Sequence, residues 1–480
     1  MTHFYVDSTR GDDLQAGTSP EAPWKTLARV HDLVFMPGDR LHLASGSVWD
    51  DALSPRGTGS ESNPCVIEPY GAGPRPLING CGQVEATVHL YNTEGWIVRG
   101  LEVTNHGPGE GDRRMGILAQ LVDYGTARGI TIEDNYVHDV NGCNVKAHGD
   151  TNGGIFWRSE GEQVPSRFIG VRVRRNHVVR CDRVGIYCRG MGRRDHWFPM
   201  LDVVIQENLL EDIGGDGILN IGTDGCIVER NRLISGRMRD DMYCAGIWPW
   251  SADNTLIQYN EAAGYRGTKD GQGFDCDFNC IGTIHQYNYS HDNEGGFMLV
   301  CTVSPQNSIP FKPDNIGCFN SIVRRNLTVN DLCRTFHIAG PVVGTRIEEN
   351  CVYVGAGIDI PAFQYTGSHE GMGPPETTVV ANNILAARGT LRYVEAVDRL
   401  PDGTFTHESC AMPSYVRYTG NTFLGNHVDP PSDRGTPRLE PGMEAIEQVV
   451  LDEEGRAKPG LATLDDFIRL MGWPAYCPTR

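Results

Sequence analysis

ITIEDNYVHD (residues 130–139), VRVRRNHVVR (171–180), VVIQENLLED (203–212), CIVERNRLIS (226–235), TLIQYNEAAG (255–264) and TIHQYNYSHD (283–292) align almost letter for letter. Each is a short apolar run, often β-branched, that ends in asparagine and turns into a second apolar run. SIVRRNLTVN (321–330), TRIEENCVYV (345–354), VVANNILAA (379–387) and VRYTGNTFL (416–424) continue the series. The asparagines therefore fall at Asn135, Asn176, Asn208, Asn231, Asn260, Asn288, Asn326, Asn350, Asn383 and Asn421. The shortest interval separates Asn208 from Asn231 and the longest Asn135 from Asn176, with the excess length in the loops. A recurring unit of this size predicts a solenoid rather than several globular domains. A buried asparagine at one turn can bond the same residue one coil above and below, which satisfies an otherwise costly polar group along the whole column.

A second strand follows the turn and aligns on a glycine: Gly154, Gly185, Gly217, Gly246, Gly273 and Gly296. Side chains alternate across a strand, so Ile155, Ile186, Ile218, Ile247, Phe274 and Phe297 are expected inside the coil. The next residues then face out, as one column of Phe156, Tyr187, Leu219, Trp248, Asp275 and Met298. A second outward column runs through Arg158, Arg189, Ile221, Trp250, Asp277 and Val300. Coils about 4.8 Å apart make these distant residues one continuous wall.

The 480 residues carry 58 glycines and 28 prolines, as many short strands and tight turns require. A net charge of −19 weighs against nucleic acid or an anionic membrane surface as partner. The amino-terminal stretch lacks the pattern of a signal peptide, and no apolar run reaches the roughly 18 residues of a membrane span. Fifteen cysteines without a CxxC pair read as reduced core thiols. Cytoplasm is the expected compartment. The sequons at Asn288 and Asn326 belong to the internal ladder and read as structural.

The coil pattern is similar to the right-handed parallel β-helix of the pectate-lyase-like superfamily over roughly residues 3–430. The opening shares that resemblance: Phe4–Asp7, Ala16–Pro20, then Pro23–Leu27 leading into a short helix and Pro37–Asp39. The likeness implies an all-β solenoid with an N-terminal helical cap, because an open end exposes apolar core and unpaired strand edge. The expected division is 1–90 for the cap and first coils, 91–430 for the β-helix with its wall, and 431–480 for a C-terminal cap or tail with a helix over 464–471. Asp216, within Gly214-Gly215-Asp216-Gly217-Ile218, faintly resembles the Gly-Asp-Asp segment of polygalacturonases. Gly217 replaces the second aspartate, so no role is carried over.

The outer wall changes character at Trp248, Trp250, Asp275 and Asp277. Flat indole faces stack on sugar rings, although a long loop such as 189–201 or 301–317 folding over them would explain the tryptophans as well. Lys269, Asp270, His291, Asp292 and Glu294 crowd the neighbouring text. Asp275 and Asp277 share a face with Cα atoms about 6.5–7 Å apart, and two unpaired acids facing the same way do not help a fold. Glycosidic cleavage needs two carboxyls roughly 5–5.5 Å apart for retention or 6.5–9.5 Å for inversion, spacings this cluster can provide. Like-charge crowding raises one pKa, giving a proton donor beside an ionised partner. A bound Ca²⁺ would also explain the aspartates. Asp270 could close a turn, and Glu294 could bond backbone amides at a coil corner. His285 and His291 lack the spacing and further ligands of a zinc site, and no resident metal or other cofactor is expected.

The favoured reading is a glycoside hydrolase acting on a neutral oligosaccharide or glycoside. Asp275 or Asp277 is the nucleophile or base and Glu294 the acid, with Asp270 and Asp275 as the second-ranked pair. Trp248, Trp250, Lys269, Tyr187, Arg189, His291 and His337 are the candidate sugar contacts. A polysaccharide lyase, with Lys269 and Arg266 or Arg189 serving elimination from a uronate, is the alternative, as is a non-catalytic sugar-binding solenoid or an epimerase. Homo-oligomerisation is left open.

Overall fold

The computed structural model describes residues 1–477 except 110, 112, 147–151, 241–242, 303–316, 341, 367–377, 394, 400–404, 409–415 and 439, with backbone alone at 395–399 and 405–408. The chain divides into two compact units. One comprises Met1–Gly192, His196–Cys226 and Met238–Met242; the other comprises Arg193–Asp195, Ile227–Arg237 and Tyr243–Arg480. Each is a stretch of parallel β-helix with three sheets, right-handed as parallel crossovers are.

In the first unit one sheet runs from His3–Val6 through Thr126–Glu133 to Met200–Gln206. A second runs from Val48–Asp50 to Leu209–Glu211, and a third from Ala86–Tyr91 through Gly153–Glu160 to Asp216–Ile221. The third sheet keeps the expected register. Ile155 pairs with Ile186 and Ile186 with Ile218, Phe156 with Tyr187 and Tyr187 with Leu219, Arg158 with Arg189 and Arg189 with Ile221. The aligned glycines have a packing cause: a Cβ on Gly154 would lie 2.5 Å from Val178 Cγ1 and 2.7 Å from the Gly185 carbonyl oxygen. The N-terminal helix α1 is the single turn Ala28–His31. Trp24, Leu27, Val30 and Phe35 around it are buried, and the Phe35 ring meets Trp96 edge-on at 5.2 Å.

The asparagine ladder forms as the repeat requires. Asn176 Nδ2 donates to Asn208 Oδ1 at 3.0 Å and to the Ile132 carbonyl at 2.9 Å, while its backbone N–H also donates to Asn208 Oδ1. In the second unit the same bonds join Asn231 to Asn260, Asn260 to Asn288, and onward through Asn326, Asn350 and Asn383 to Asn421. Asp433 closes the column, accepting from Asn421 Nδ2 at 2.8 Å. The residue before each ladder asparagine is left-handed, with φ from +53° to +57°, or +73° at Gly420. Such a conformation costs roughly 1–2 kcal/mol at a non-glycine residue. The amide bonds, made at every coil, offset that cost.

The second unit repeats the three sheets, its third comprising Ile247–Trp250, Gln272–Cys276, Gly296–Cys301, Phe336–Ala339, Phe363–Thr366 and Glu395–Arg399. Here the register departs from expectation. Phe297 N–H and Met298 N–H both donate to the Thr335 carbonyl, at 3.2 and 3.1 Å, which is a β-bulge. Phe274 pairs with Met298, and Asp275 with Leu299, an offset already set where Gln272 meets Gly296. The outward columns pass through Leu299 and Cys301, not Met298 and Val300. Gly296 at φ +111° permits the extra residue.

Beyond the coils lie α2, Met443–Val450, and α3, Leu461–Met471. Helix α3 begins three residues before the expected helix, and α2 is a further helix within the same C-terminal stretch. Met443, Ile446, Val450, Leu464, Phe467 and Ile468 pack on Tyr259, Tyr287, Tyr289, Leu327 and Tyr353, along the outer face of the second sheet. Tyr289 Oη donates to the Lys458 carbonyl at 2.8 Å and Tyr353 Oη to Glu447 at 2.9 Å. Among the described residues every cysteine is a free thiol, and no helix is long and apolar enough to cross a membrane.

Candidate active site

The third sheet of the second unit carries the acids. Ile247 pairs with Phe274, which sets Trp248 beside Asp275 on the outward face. The column continues from Asp275 to Leu299, then His337, then Gln364. Trp248, Asp275, Leu299 and Gln364 are nearly enclosed, at 6%, 2%, 4% and 5% exposure. Trp250 opens further to solvent and meets the Phe278 ring edge-on at 6.0 Å.

Asp270 precedes the Gln272–Cys276 strand and Asp277 follows it; both are half-buried. Asp277 N–H donates to the Pro249 carbonyl at 3.3 Å, and its Oδ1 accepts from Phe278 N–H at 2.7 Å. Asp270 is held in the left-handed region at φ +61°. Burial, then the charges of Asp277, Asp275 and Asp270, push the Cys301 thiol well above the usual cysteine range. The thiol thus stays protonated, chiefly through burial, and the carboxylates add to that effect.

Glu294 sits at the coil corner next to the Asp270 turn, where Gly295 N–H donates to the Gly271 carbonyl at 3.0 Å. It is exposed in the turn before Gly296–Cys301, where Oε2 accepts from Gly267 N–H at 2.6 Å, so its carboxylate serves the coil corner. Lys269 is exposed in the turn beside Asp270. His291 ends the strand Tyr289–His291 on the second sheet, not the wall. Its Nδ1 faces Asp292 Oδ2 at 2.8 Å and its Nε2 faces Glu261 Oε1 at 3.2 Å. Burial opposes its charge, but those two carboxylates outweigh it and raise the pKa to about 9. Glu261 Oε1 also accepts from Gly460 N–H, so this ion pair anchors the C-terminal segment. Tyr187, buried, and Arg189, exposed, stand on the third sheet of the first unit. Asp216 is fully buried there against Arg183, with Nη2 2.8 Å from Oδ2.

Several wall residues carried no sequence signal. Arg334 is buried, and its Nη2 donates to the Asp270 carbonyl at 3.1 Å. Cys301 reaches the wall only through the register in which Gln272 meets Gly296. Gln364 and Thr366 stand on a strand without the aligned glycine. His337 is on the wall; its Nε2 lies 2.8 Å from Thr366 Oγ1. Burial, then the charge of Arg334, holds its pKa well below the usual histidine value, so the ring is neutral. Among the described residues no group of three His, Cys, Asp or Glu side chains is arranged to hold a metal ion.

No family model matches the chain. It is 28% identical over 453 residues to the lacto-N-biosidase of Bifidobacterium longum subsp. longum, a match covering 74% of this chain and 27% of that enzyme. The chain thus spans about a quarter of the length of this curated relative. The crystal structure of a GH136 lacto-N-biosidase from Eubacterium ramulus matches with a TM-score of 0.66 at 27% identity, over 79% of this chain and 67% of that one. A mannuronic acid-specific family 6 polysaccharide lyase from human gut microbiota, 12% identical with a TM-score of 0.50 over 92% of both chains, shares the fold alone.

Proposed function

We propose that the chain is the catalytic β-helix of a glycoside hydrolase that cleaves a neutral oligosaccharide, of the lacto-N-biose type for which its relatives are named. The observation that carries this reading is the placement of Asp275 on the outward face of the strand Gln272–Cys276 with Asp270 just before it and Asp277 just after it, all three acting on the Cys301 thiol. The relatives supply the substrate class.

A catalytic group must touch the sugar. Asp275 is 2% exposed, whereas Asp270 and Asp277 are half-buried and reach solvent from either end of the strand. Asp270 and Asp277, the members of the trio that reach solvent, are therefore the acids assigned to the scissile bond. One protonates the leaving oxygen while the other, ionised, acts as nucleophile or activates water. Asp275 between them adds a buried negative charge that favours keeping one proton within the group. Glu294, committed to the Gly267 amide, is not needed. Trp250 offers the stacking face.

The test is to incubate the protein with lacto-N-biose-containing oligosaccharides, aryl glycosides and uronate polymers in parallel. Release of a reducing disaccharide without ultraviolet absorbance supports hydrolysis. An unsaturated, ultraviolet-absorbing product from the polymers would replace it with elimination.

A further inference from the structure

The loop between the strands Val184–Arg189 and Met200–Gln206 sends Arg193–Asp195 into the second unit. There the Arg194 guanidinium, with its side chain 10% exposed, binds two corners at once. Nη1 and Nη2 donate to Asp253 Oδ2 and Oδ1 at 2.8 and 2.6 Å, a planar fork on one carboxylate. Nε donates to Asn279 Oδ1 at 3.1 Å, and Nη2 also donates to the Asn279 carbonyl. Asp253 and Asn279 lie on neighbouring coils of the third sheet. Asp253 follows the strand Ile247–Trp250, which ends in the stacking face, and Asn279 follows Asp277 beyond the strand Gln272–Cys276. The two corners are also bonded to each other, Asn279 Nδ2 donating to Ser251 Oγ and Ser251 N–H to the Phe278 carbonyl at 3.4 Å. Each turns through a left-handed residue, Ser251 at φ +47° and Asn279 at φ +66°. Such conformations persist at non-glycine residues where the surroundings impose them.

The geometry points to Arg194 as a positioning residue that fixes Asp277 relative to Trp250, the acid relative to the face on which the sugar stacks. This rests on the hydrolase reading above and deepens it. Asp277 is bonded to Pro249 through its own N–H and to Phe278 through its carboxylate, so it moves with the corner that Asn279 closes. Arg194 acts on that corner through Asn279, and Asp253 holds the guanidinium in the plane this requires. A lysine ammonium is a point charge and cannot hold a carboxylate and an amide oxygen in one plane. Without the tie, the two coils keep their strand pairing but lose the bonds that set one corner against the other.

The test is a double-mutant cycle on the oligosaccharide that the protein cleaves. Arg194→Leu should lower kcat about 10- to 100-fold and leave KM within about threefold, as a displaced acid beside an intact stacking face would. Asn279→Gly keeps a backbone free to turn left-handed, removes the side-chain tie, and should reproduce part of that loss even if Arg194→Leu fails to fold. In protein already carrying Asp277→Asn, either change should cost less than about twofold more, because groups acting through one another do not add. A full further loss in that background, or an unchanged kcat in both single variants, overturns the assignment. Absence of turnover by the unmodified protein sinks the hydrolase reading, and the tie is then read by amide hydrogen exchange. Arg194→Leu should speed exchange over 277–281 and leave the ladder stretch 203–212 as it was; unchanged exchange over 277–281 overturns the tie itself.

Discussion

Arg334 Nη2 donates to the carbonyl oxygen of Asp270 at 3.1 Å, tying the turn that presents one acid to the strand two coils further along the third sheet. The contact bridges 64 residues of sequence. Because Asp270 sits at φ +61° in a glycine-flanked turn, its carboxylate position depends on such a tie. Replacing Arg334 with leucine should lower kcat about 10- to 100-fold, the order expected of a displacement near 1 Å, with a smaller effect on KM. Arg334→Lys should recover part of kcat. Equal loss in both variants, accompanied by a fallen unfolding midpoint, would mean that Arg334 serves only the fold.

The carboxylate assignment is checked by Asp270→Asn, Asp275→Asn, Asp277→Asn and Glu294→Gln. The Asp270 and Asp277 variants should lose at least about 10²-fold in kcat, since an amide neither donates the proton nor attacks. Asp275→Asn should retain measurable turnover with a shifted pH profile, and Glu294→Gln should stay close to the parent. Full activity in either the Asp270 or the Asp277 variant would overturn the pairing.

A chelator separates the hydrolytic reading from one in which Ca²⁺ bridges the aspartates. Dialysis against EDTA should leave the rate unchanged. Loss of activity restored by calcium would assign Asp275 and Asp277 to a metal instead.

Asn288→Ala removes donors to Asn326 Oδ1 and the Ile257 carbonyl, and strips Asn260 of its acceptor. Each buried group left unpaired costs about 1–3 kcal/mol, so the variant should lose several kcal/mol in urea unfolding. Asn426→Ala, at an exposed position, should stay within about 0.5 kcal/mol of the parent. Equal stabilities would contradict the ladder.

The His291–Glu261 pair predicts a pH dependence. With a folded pKa near 9 against an ordinary 6.5, His291 contributes fully below pH 6.5, and that contribution is lost as pH rises through 9. The loss, on the order of 3 kcal/mol, should vanish in His291→Gln. It should be accompanied by faster proteolysis of the C-terminal segment, which Glu261 holds through Gly460.

The coil, its turn and its ladder were legible in the sequence because their cause is local. An asparagine after a left-handed residue bonds its own counterpart at every turn, so a single position repeated along the chain carries the message. The inward and outward faces were legible for the same reason, and in the first unit Ile155, Tyr187 and Arg189 lie in the register that alternation assigns. Tertiary structure alone decided the rest. Gly273 and Gly296 align in sequence, but Gly296 pairs with Gln272, and that one-residue offset turns the alternation over, so Leu299 rather than Met298 follows Asp275. Glu294 reads as an acid beside a strand until its carboxylate meets the Gly267 amide. His291 reads as a site histidine until Glu261, on a different strand of the second sheet, charges it. Each of these outcomes depends on a partner that only the winding of the coils brings within reach, and no local pattern encodes that distance.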